Sequence, residues 1–162
     1  MLKIIKYTAQ NHQNLTQFME GLQDYLVSID TFEKLKRDKN YGKKYVKYLL
    51  KIIKEDKGII LLAEFDNKII GCVAGIIETL DKGEILGNKK KLKTARILEL
   101  YVEPEYRGKH IAVKLITEIT KHFKAKKCEQ LRLEVYAPNN NAHNFYLSQG
   151  FKNESIDLMK KI

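Results

Sequence analysis

Little in this sequence invites cross-linking, metal binding or membrane insertion. Only two cysteines occur in 162 residues, Cys72 and Cys128. They stand far apart, without metal-ligand partners at useful spacing, and read as free thiols in a reducing compartment. The histidines, His12, His110, His122 and His143, form no His-Glu-x-x-His pattern, so no metal is expected. No apolar run reaches membrane-spanning length. Met1 to Thr8 alternates too much charge with its apolar residues for a signal-peptide core. The expectation is a cytoplasmic protein without membrane contact. Internal repeats are absent too, as are low-complexity segments beyond a bias to lysine.

What is present suits a single domain over residues 1–162, since 44% hydrophobic residues can build a respectable core at this length. Thirty basic side chains against twenty acidic ones give a net charge of +10, which favours anionic ligands. Nucleic acid is not the expected partner, because the lysines are spread over the helices and no RNA-binding aromatic motif occurs.

Leu2 to Thr8 alternates as a first strand. Leu15, Phe18, Met19, Leu22, Leu26 and Ile29 recur at helical spacing, and Tyr41, Tyr45, Tyr48, Leu49, Ile52 and Ile53 share one stripe of a second helix from Tyr41 to Glu55. Ile59 to Phe65 and Ile69 to Glu78 flank an Asp66-Asn67-Lys68 turn as an antiparallel hairpin. Gly71 and Gly75 in its second arm point to a bulge or a close backbone approach. A polar loop from Thr79 to Thr94 carries Asp81, Glu84 and a lysine run. After it come a strand, a helix from about Lys109 to Phe123, a strand from Gln130 to Tyr136 and a short helix from Ala142 to Ser148. The tail, Phe151 to Ile162, is expected to add one or two strands, which could pair across a homodimer, although the sequence alone does not show that they do. The order of elements is that of an α/β (α+β) fold with a mixed sheet.

The segment from Ala95 to Ile116 organises the rest. An apolar strand, Ala95 to Val102, breaks at Pro104, passes a basic glycine turn, Arg107-Gly108-Lys109, and becomes an amphipathic helix. Such a loop can aim several backbone N–H groups at one point, and the helix start adds partial positive charge, which suits a phosphate or diphosphate. Glu99 interrupts the apolar strand, where a carboxylate is costly unless paired or used. Strand alternation places Ile97, Glu99 and Tyr101 on one face, opposite Leu98, Leu100 and Val102.

Glu99-Leu-Tyr-Val-Glu-Pro-Glu-Tyr-Arg-Gly-Lys-His-Ile-Ala112, followed some thirty residues on by Asn139-Asn-Asn-Ala-His-Asn-Phe-Tyr-Leu-Ser-Gln-Gly-Phe151, resembles the GNAT family of acyl-coenzyme A dependent N-acetyltransferases. The first segment is similar to that family's pyrophosphate motif and the second to its asparagine-alanine-tyrosine-glycine-phenylalanine helix. The resemblance implies a mixed, mostly antiparallel central sheet flanked by helices and splayed at Ala95–Val102. It implies transfer of an acetyl group from acetyl-CoA, as cosubstrate, to a primary amine by direct attack in a ternary complex. Neither motif holds a cysteine, which disfavours an acetyl-enzyme.

Residue by residue, Arg107, Gly108, Lys109, His110, Ile111 and Ala112 match the diphosphate loop and helix start. His110 stands where the family usually has glycine, so either the loop needs no positive φ there or the residue is strained. Leu100, Tyr101 and Val102 are implied to offer backbone groups to the pantetheine amides, as an added strand would find them. Asn139, and Asn144 in the same way, are implied to bond the coenzyme arm. Tyr146 matches the family's acid for the leaving thiolate, with a packed ring as the alternative. Glu99 is the candidate base, directly or through water. A structural ion pair with Arg96 or Arg132 is its alternative, Glu134 its reserve, and Glu78 and Asp81 are candidates for holding a cationic acceptor. The other function considered is a catalytically weak acyl-CoA-binding, regulatory module of the same fold. The acceptor itself is not legible.

Overall fold

A computed structural model of the chain describes residues 1–78, 87, 90–160 and 162. The strands are β1 (Leu2–Lys6), β2 (Ile59–Phe65), β3 (Lys68–Ile77), β4 (Thr94–Val102) and β5 (Gln130–Arg132), and the helices are α1 (His12–Ser28), α2 (Tyr41–Glu55), α3 (Ile111–Ala125) and α4 (Asn140–Ser148). They form one sheet in the order β1-β2-β3-β4-β5, antiparallel throughout except for the parallel β4–β5 pair. The mixed, mostly antiparallel sheet flanked by helices is the expected architecture. Among the described residues no helix is long and apolar enough to cross a membrane.

Both faces of the sheet are covered, which is why β2 and β3 read as nearly continuous apolar runs. Leu15, Phe18 and Met19 of α1 and Val46 and Leu49 of α2 pack against Ile60, Leu62, Cys72 and Ala74. Leu115, Ile116, Ile119 and Phe123 of α3 pack the other face, against Leu61, Ala63, Ile70, Val73 and Ile97. In α2 the buried stripe is Gly42, Val46 and Leu49. Tyr48, expected within the core stripe, is 56% exposed, because the helix is turned so that its small and branched residues meet α1 and the sheet.

Two features of β4 set up the site. The β3–β4 register pairs Ala74 with Glu99 and Gly75 with Ile97, so Leu98 is an extra residue in a β-bulge. Ile97 therefore joins the α3 side with Leu100 and Val102, whereas Leu98 and Tyr101 pack on the α1–α2 side. The strict alternation expected for Ile97, Glu99 and Tyr101 is thus broken by one inserted residue. The bulge anticipated from the glycines lies opposite Gly75, where an added Cβ would sit 2.8 Å from the Arg96 carbonyl oxygen and 2.9 Å from the Phe123 ring.

The second feature is a parting of strands. β4 and β5 pair only at Thr94–Gln130, Ala95–Leu131 and Arg96–Arg132. Beyond Arg96 the β5-facing edge of β4 has, among the described residues, no strand beside it, which is the expected splay. For the same reason the strand expected over Gln130 to Tyr136 stops at Arg132. The tail, expected to form one or two strands, forms none among its described residues. β5 is too short to offer it an edge, and Ile156, Leu158 and Met159 are exposed. The reason the sequence offered for a homodimer disappears with those strands.

Gly75→Ala should lower stability by about 1–3 kcal/mol, since the new methyl must displace the Arg96 backbone or the Phe123 ring. Urea denaturation of the two proteins measures this, and an unchanged midpoint would contradict the tight approach at the bulge.

Candidate active site

The bulge turns Glu99 toward α2, where Tyr45 donates its phenol proton to a Glu99 carboxylate oxygen. Neither expected guanidinium reaches it. Arg96 pairs with Glu134 at 2.8 Å and Glu78 at 3.6 Å, and Arg132 pairs with Glu78 at 3.7 Å and Glu154 at 3.9 Å. The ion-pair alternative for Glu99 is therefore overturned: both arginines lie at the last β4–β5 register pair, on the near side of the bulge. Glu78 bridges them, so its charge is already compensated, and Glu134 is 83% exposed and bound to Arg96. Asp81 lies outside the described residues.

Burial pushes the Glu99 carboxyl up to about 7, against the lowering effect of the Tyr45 bond, and among the described residues it has no cationic partner. On α4, Tyr146 packs its ring against Phe145 and Phe151, with centroids at 5.3 and 5.6 Å. Burial, and then the charge of Glu99, push its phenol well above the ordinary value, so it stays protonated at neutral pH. Tyr146 belongs to the α3 side of the sheet and Tyr45 to the α1–α2 side. They share a field at Glu99 because β4 and β5 have separated between them.

The α1–α2 connection spans the far end of this opening. Asp30 accepts hydrogen bonds from the amides of Phe32, Lys34 and Leu35 and from the Tyr136 hydroxyl. Burial opposes its charge, but these bonds prevail and hold the carboxyl well below the usual range. Asn139 caps α4, its side-chain oxygen accepting from the Ala142 amide at 3.2 Å and from the Tyr25 hydroxyl at 3.4 Å. Its amide nitrogen remains a donor. Asn144 is exposed on the same helix.

The loop before α3 presents a row of donors. Gly108 is at φ 75° and His110 at φ 58°, so the residue in the usual glycine position does adopt a left-handed conformation. Among the described residues the amides of Gly108, Lys109 and His110 make no backbone hydrogen bond, and the first-turn amides of α3, at Ile111 and Ala112, have no intrahelical acceptor. Nothing lies within 4 Å of a Cβ placed on Gly108. Arg107 donates from Nε to the Val102 carbonyl at 3.0 Å and lies 5.8 Å from the Tyr101 ring centroid, tying the loop to the end of β4. Lys109 sits over Tyr106 at 5.1 Å. Leu100, Tyr101 and Val102 face β3 through one edge and the opening through the other.

Cys72 is fully buried with its thiol pushed up chiefly by that burial, and Cys128 is half-buried and shifted the same way. Neither is poised as a thiolate. Among the described residues no three His, Cys, Asp or Glu side chains converge as a metal site requires. Sequence reasoning missed Tyr45, Tyr25, Asp30 and Tyr136. The available signal was the run of tyrosines on α2, whose phenols need polar partners when buried.

His110→Gly should leave stability unchanged or raise it by up to about 1 kcal/mol, because glycine removes the cost of a left-handed side-chain-bearing residue. Thermal and chemical denaturation check this; clear destabilisation would mean that the imidazole holds the loop.

The model of the Acetyltransferase (GNAT) family matches residues 19–151. The chain is 34% identical over 100 residues to a spermidine N(1)-acetyltransferase from Thermoplasma acidophilum, a match covering 61% of this chain and 54% of that protein. The chain thus spans only about half the length of that relative. It is 31% identical over 132 residues to an uncharacterized N-acetyltransferase from Archaeoglobus fulgidus, covering 82% of this chain and 78% of that one. A predicted acetyltransferase from Clostridium acetobutylicum, solved with acetyl-CoA, superposes with a TM-score of 0.73 at 18% identity over 98% of this chain and 96% of that one. With the family model covering most of its length and the splayed sheet in place, the chain belongs to the GNAT acetyltransferase family.

Proposed function

We propose that the protein transfers an acetyl group from acetyl-CoA to a primary amine by direct attack in a ternary complex. The observation that carries this reading is the half-buried Glu99 carboxylate, without a cationic partner among the described residues, sharing the strand opening with the protonated Tyr146.

The residues around the opening fit the cosubstrate. Its diphosphate matches the free amides from Gly108 to Ala112 and the Arg107 and Lys109 charges. Its pantetheine amides match the unpaired edge of β4 at Leu100, Tyr101 and Val102, and the Asn139 amide, with Asn144 nearby, supplies further donors. The thioester then lies beside Glu99. An ammonium has no lone pair, so Glu99 accepts a proton as the amine nitrogen bonds to the carbonyl carbon. The C–S bond breaks, the electron pair leaves with sulfur, Tyr146 donates its phenol proton to the thiolate, and the second proton lost from nitrogen restores the Tyr146 phenol, leaving the amide and the coenzyme A thiol. The buried, protonated Cys72 takes no part.

The acceptor is an amine whose first test is spermidine, the polyamine named for the Thermoplasma relative. Thiol release from acetyl-CoA over a panel of amines, with spermidine included, should find at least one acceptor. Binding of acetyl-CoA without release on any amine would favour a regulatory module instead.

On the best acceptor, Tyr146→Phe should lose about 10²–10⁴-fold in kcat with acetyl-CoA affinity retained. A base must be ionised to accept a proton, and the Glu99 carboxyl sits at about 7. The rate should therefore fall as pH drops through that value, and Glu99→Gln should remove this limb together with most of the activity. A Glu99→Gln protein with the full wild-type pH profile would end Glu99's assignment. Cys72→Ala should keep its turnover if it folds and binds acetyl-CoA, whereas loss of all turnover would reopen a covalent route.

A further inference from the structure

We infer that Tyr45 is a positioning residue for Glu99: its phenol holds the carboxylate at the opening between β4 and β5 and sets the pH at which that carboxylate takes up a proton. The catalytic meaning of this rests on Glu99 being the base, but the contact stands on geometry alone. Tyr45 is the sole hydrogen-bond partner of the Glu99 carboxylate among the described residues.

The donor is fixed. The Tyr45 ring stacks on Tyr41 with centroids 5.5 Å apart and planes 9° apart, and packs at 6.1 Å against Tyr48 on its other side. Helix α2 is pinned beneath it by Val46 and Leu49, both fully buried. Gly42 lets the helix approach α1 so closely that a Cβ there would lie 2.7 Å from the Thr16 carbonyl. Ring stack and anchored helix together hold the phenol oxygen against Glu99. On the acceptor side, the bulge residue Leu98 is what turns Glu99 to this face. Bulge and tyrosine stack together aim one carboxylate.

The surroundings make this bond decisive for the charge. The titratable groups that feel Glu99 are Tyr41 and Tyr45 from α2, Cys72 from β3 and Tyr146 from α4. Helix α1 presents Phe18 to the strand, stacked on Tyr101 at 5.2 Å. Burial raises all four titratable groups, so each is neutral at pH 7 and none offers a cation. Hydrogen bonding to the ionised form is then the remaining influence that favours the carboxylate against burial.

The test reads the carboxyl directly and needs no acceptor. The whole chain is labelled with glutamate carrying 13C in its side-chain carboxyl, the Glu99 signal is assigned by its loss in Glu99→Gln, and its midpoint is followed by NMR titration. Tyr45→Phe keeps the ring stack and removes the donor; the Glu99 midpoint should rise by about one pH unit, while Tyr41→Phe leaves it in place. Fluorination of Tyr45 at ring position 3 makes the phenol a stronger donor in an otherwise unchanged protein and should move the midpoint down, which keeps the test valid if Tyr45→Phe fails to fold. An unmoved Glu99 midpoint with Tyr45→Phe or with the fluorinated ring would overturn the inference. Failure of the underlying reading is separately visible: Glu99→Gln would then keep the acid limb of the rate profile, whatever Tyr45 does to the carboxyl.

Discussion

Everything at the site depends on the separation of β4 from β5 after three residue pairs. A paired β4 would satisfy its backbone along both edges and would keep the two faces of the sheet apart. Parted strands leave one edge of Leu100 to Val102 open, and they let a tyrosine from the α3–α4 side and a carboxylate from the α1–α2 side share one space. The bulge at Leu98 contributes in two ways. It adds local twist at the point of divergence, and it places Leu98 and Glu99 consecutively toward α2. The Arg96–Glu78–Arg132 bridge sits at the last paired position, where two guanidiniums directly opposite each other would otherwise repel.

The electrostatics divide along the same line. On the paired side of β4, carboxylates and guanidiniums compensate one another near the surface. On the open side, Glu99 is enclosed among phenols and a thiol that burial keeps neutral, so a single proton governs the charge of the pocket. The end proposed to hold the diphosphate is organised differently, by backbone rather than by side chains. Gly108 and His110 both adopt left-handed conformations, and the local strain at His110 is offset by the packing of Ile111 and Leu115 immediately after it. The α1–α2 connection closes the far end through Asp30–Tyr136 and Tyr25–Asn139, linking the segment that carries no readable motif to the residues after β5.

Much of this was legible in the residues. Helical periodicity marks α2, an unbroken apolar run marks β2, and the glycines of β3 announce a bulge. The glycine turn and the asparagine-to-tyrosine helix locate both ends of the opening. What escaped is what depends on one inserted residue or on distant partners. A bulge shifts the facing of a strand without changing its composition, so Ile97 and Leu98 each lie on the face opposite to the one that alternation predicts. The strand over Gln130 to Tyr136 has the right alternation throughout, but pairing needs a neighbour, and β4 has turned away beyond Arg132. The tail carries apolar residues at Ile156, Leu158 and Met159 yet finds no edge among the described residues. Tyr45 is separated from Glu99 by 54 positions, and in sequence it is one more apolar member of a helical stripe.

The most direct measurement of the proposed coenzyme site is amide hydrogen exchange with and without acetyl-CoA. Protection should appear at Leu100 to Val102, where a strand-like partner would complete the open edge of β4, and at Gly108 to Ala112, with β1 and β2 unchanged. Binding that protects other segments and leaves both of these exchanging as before would contradict a coenzyme held in the opening between β4 and β5.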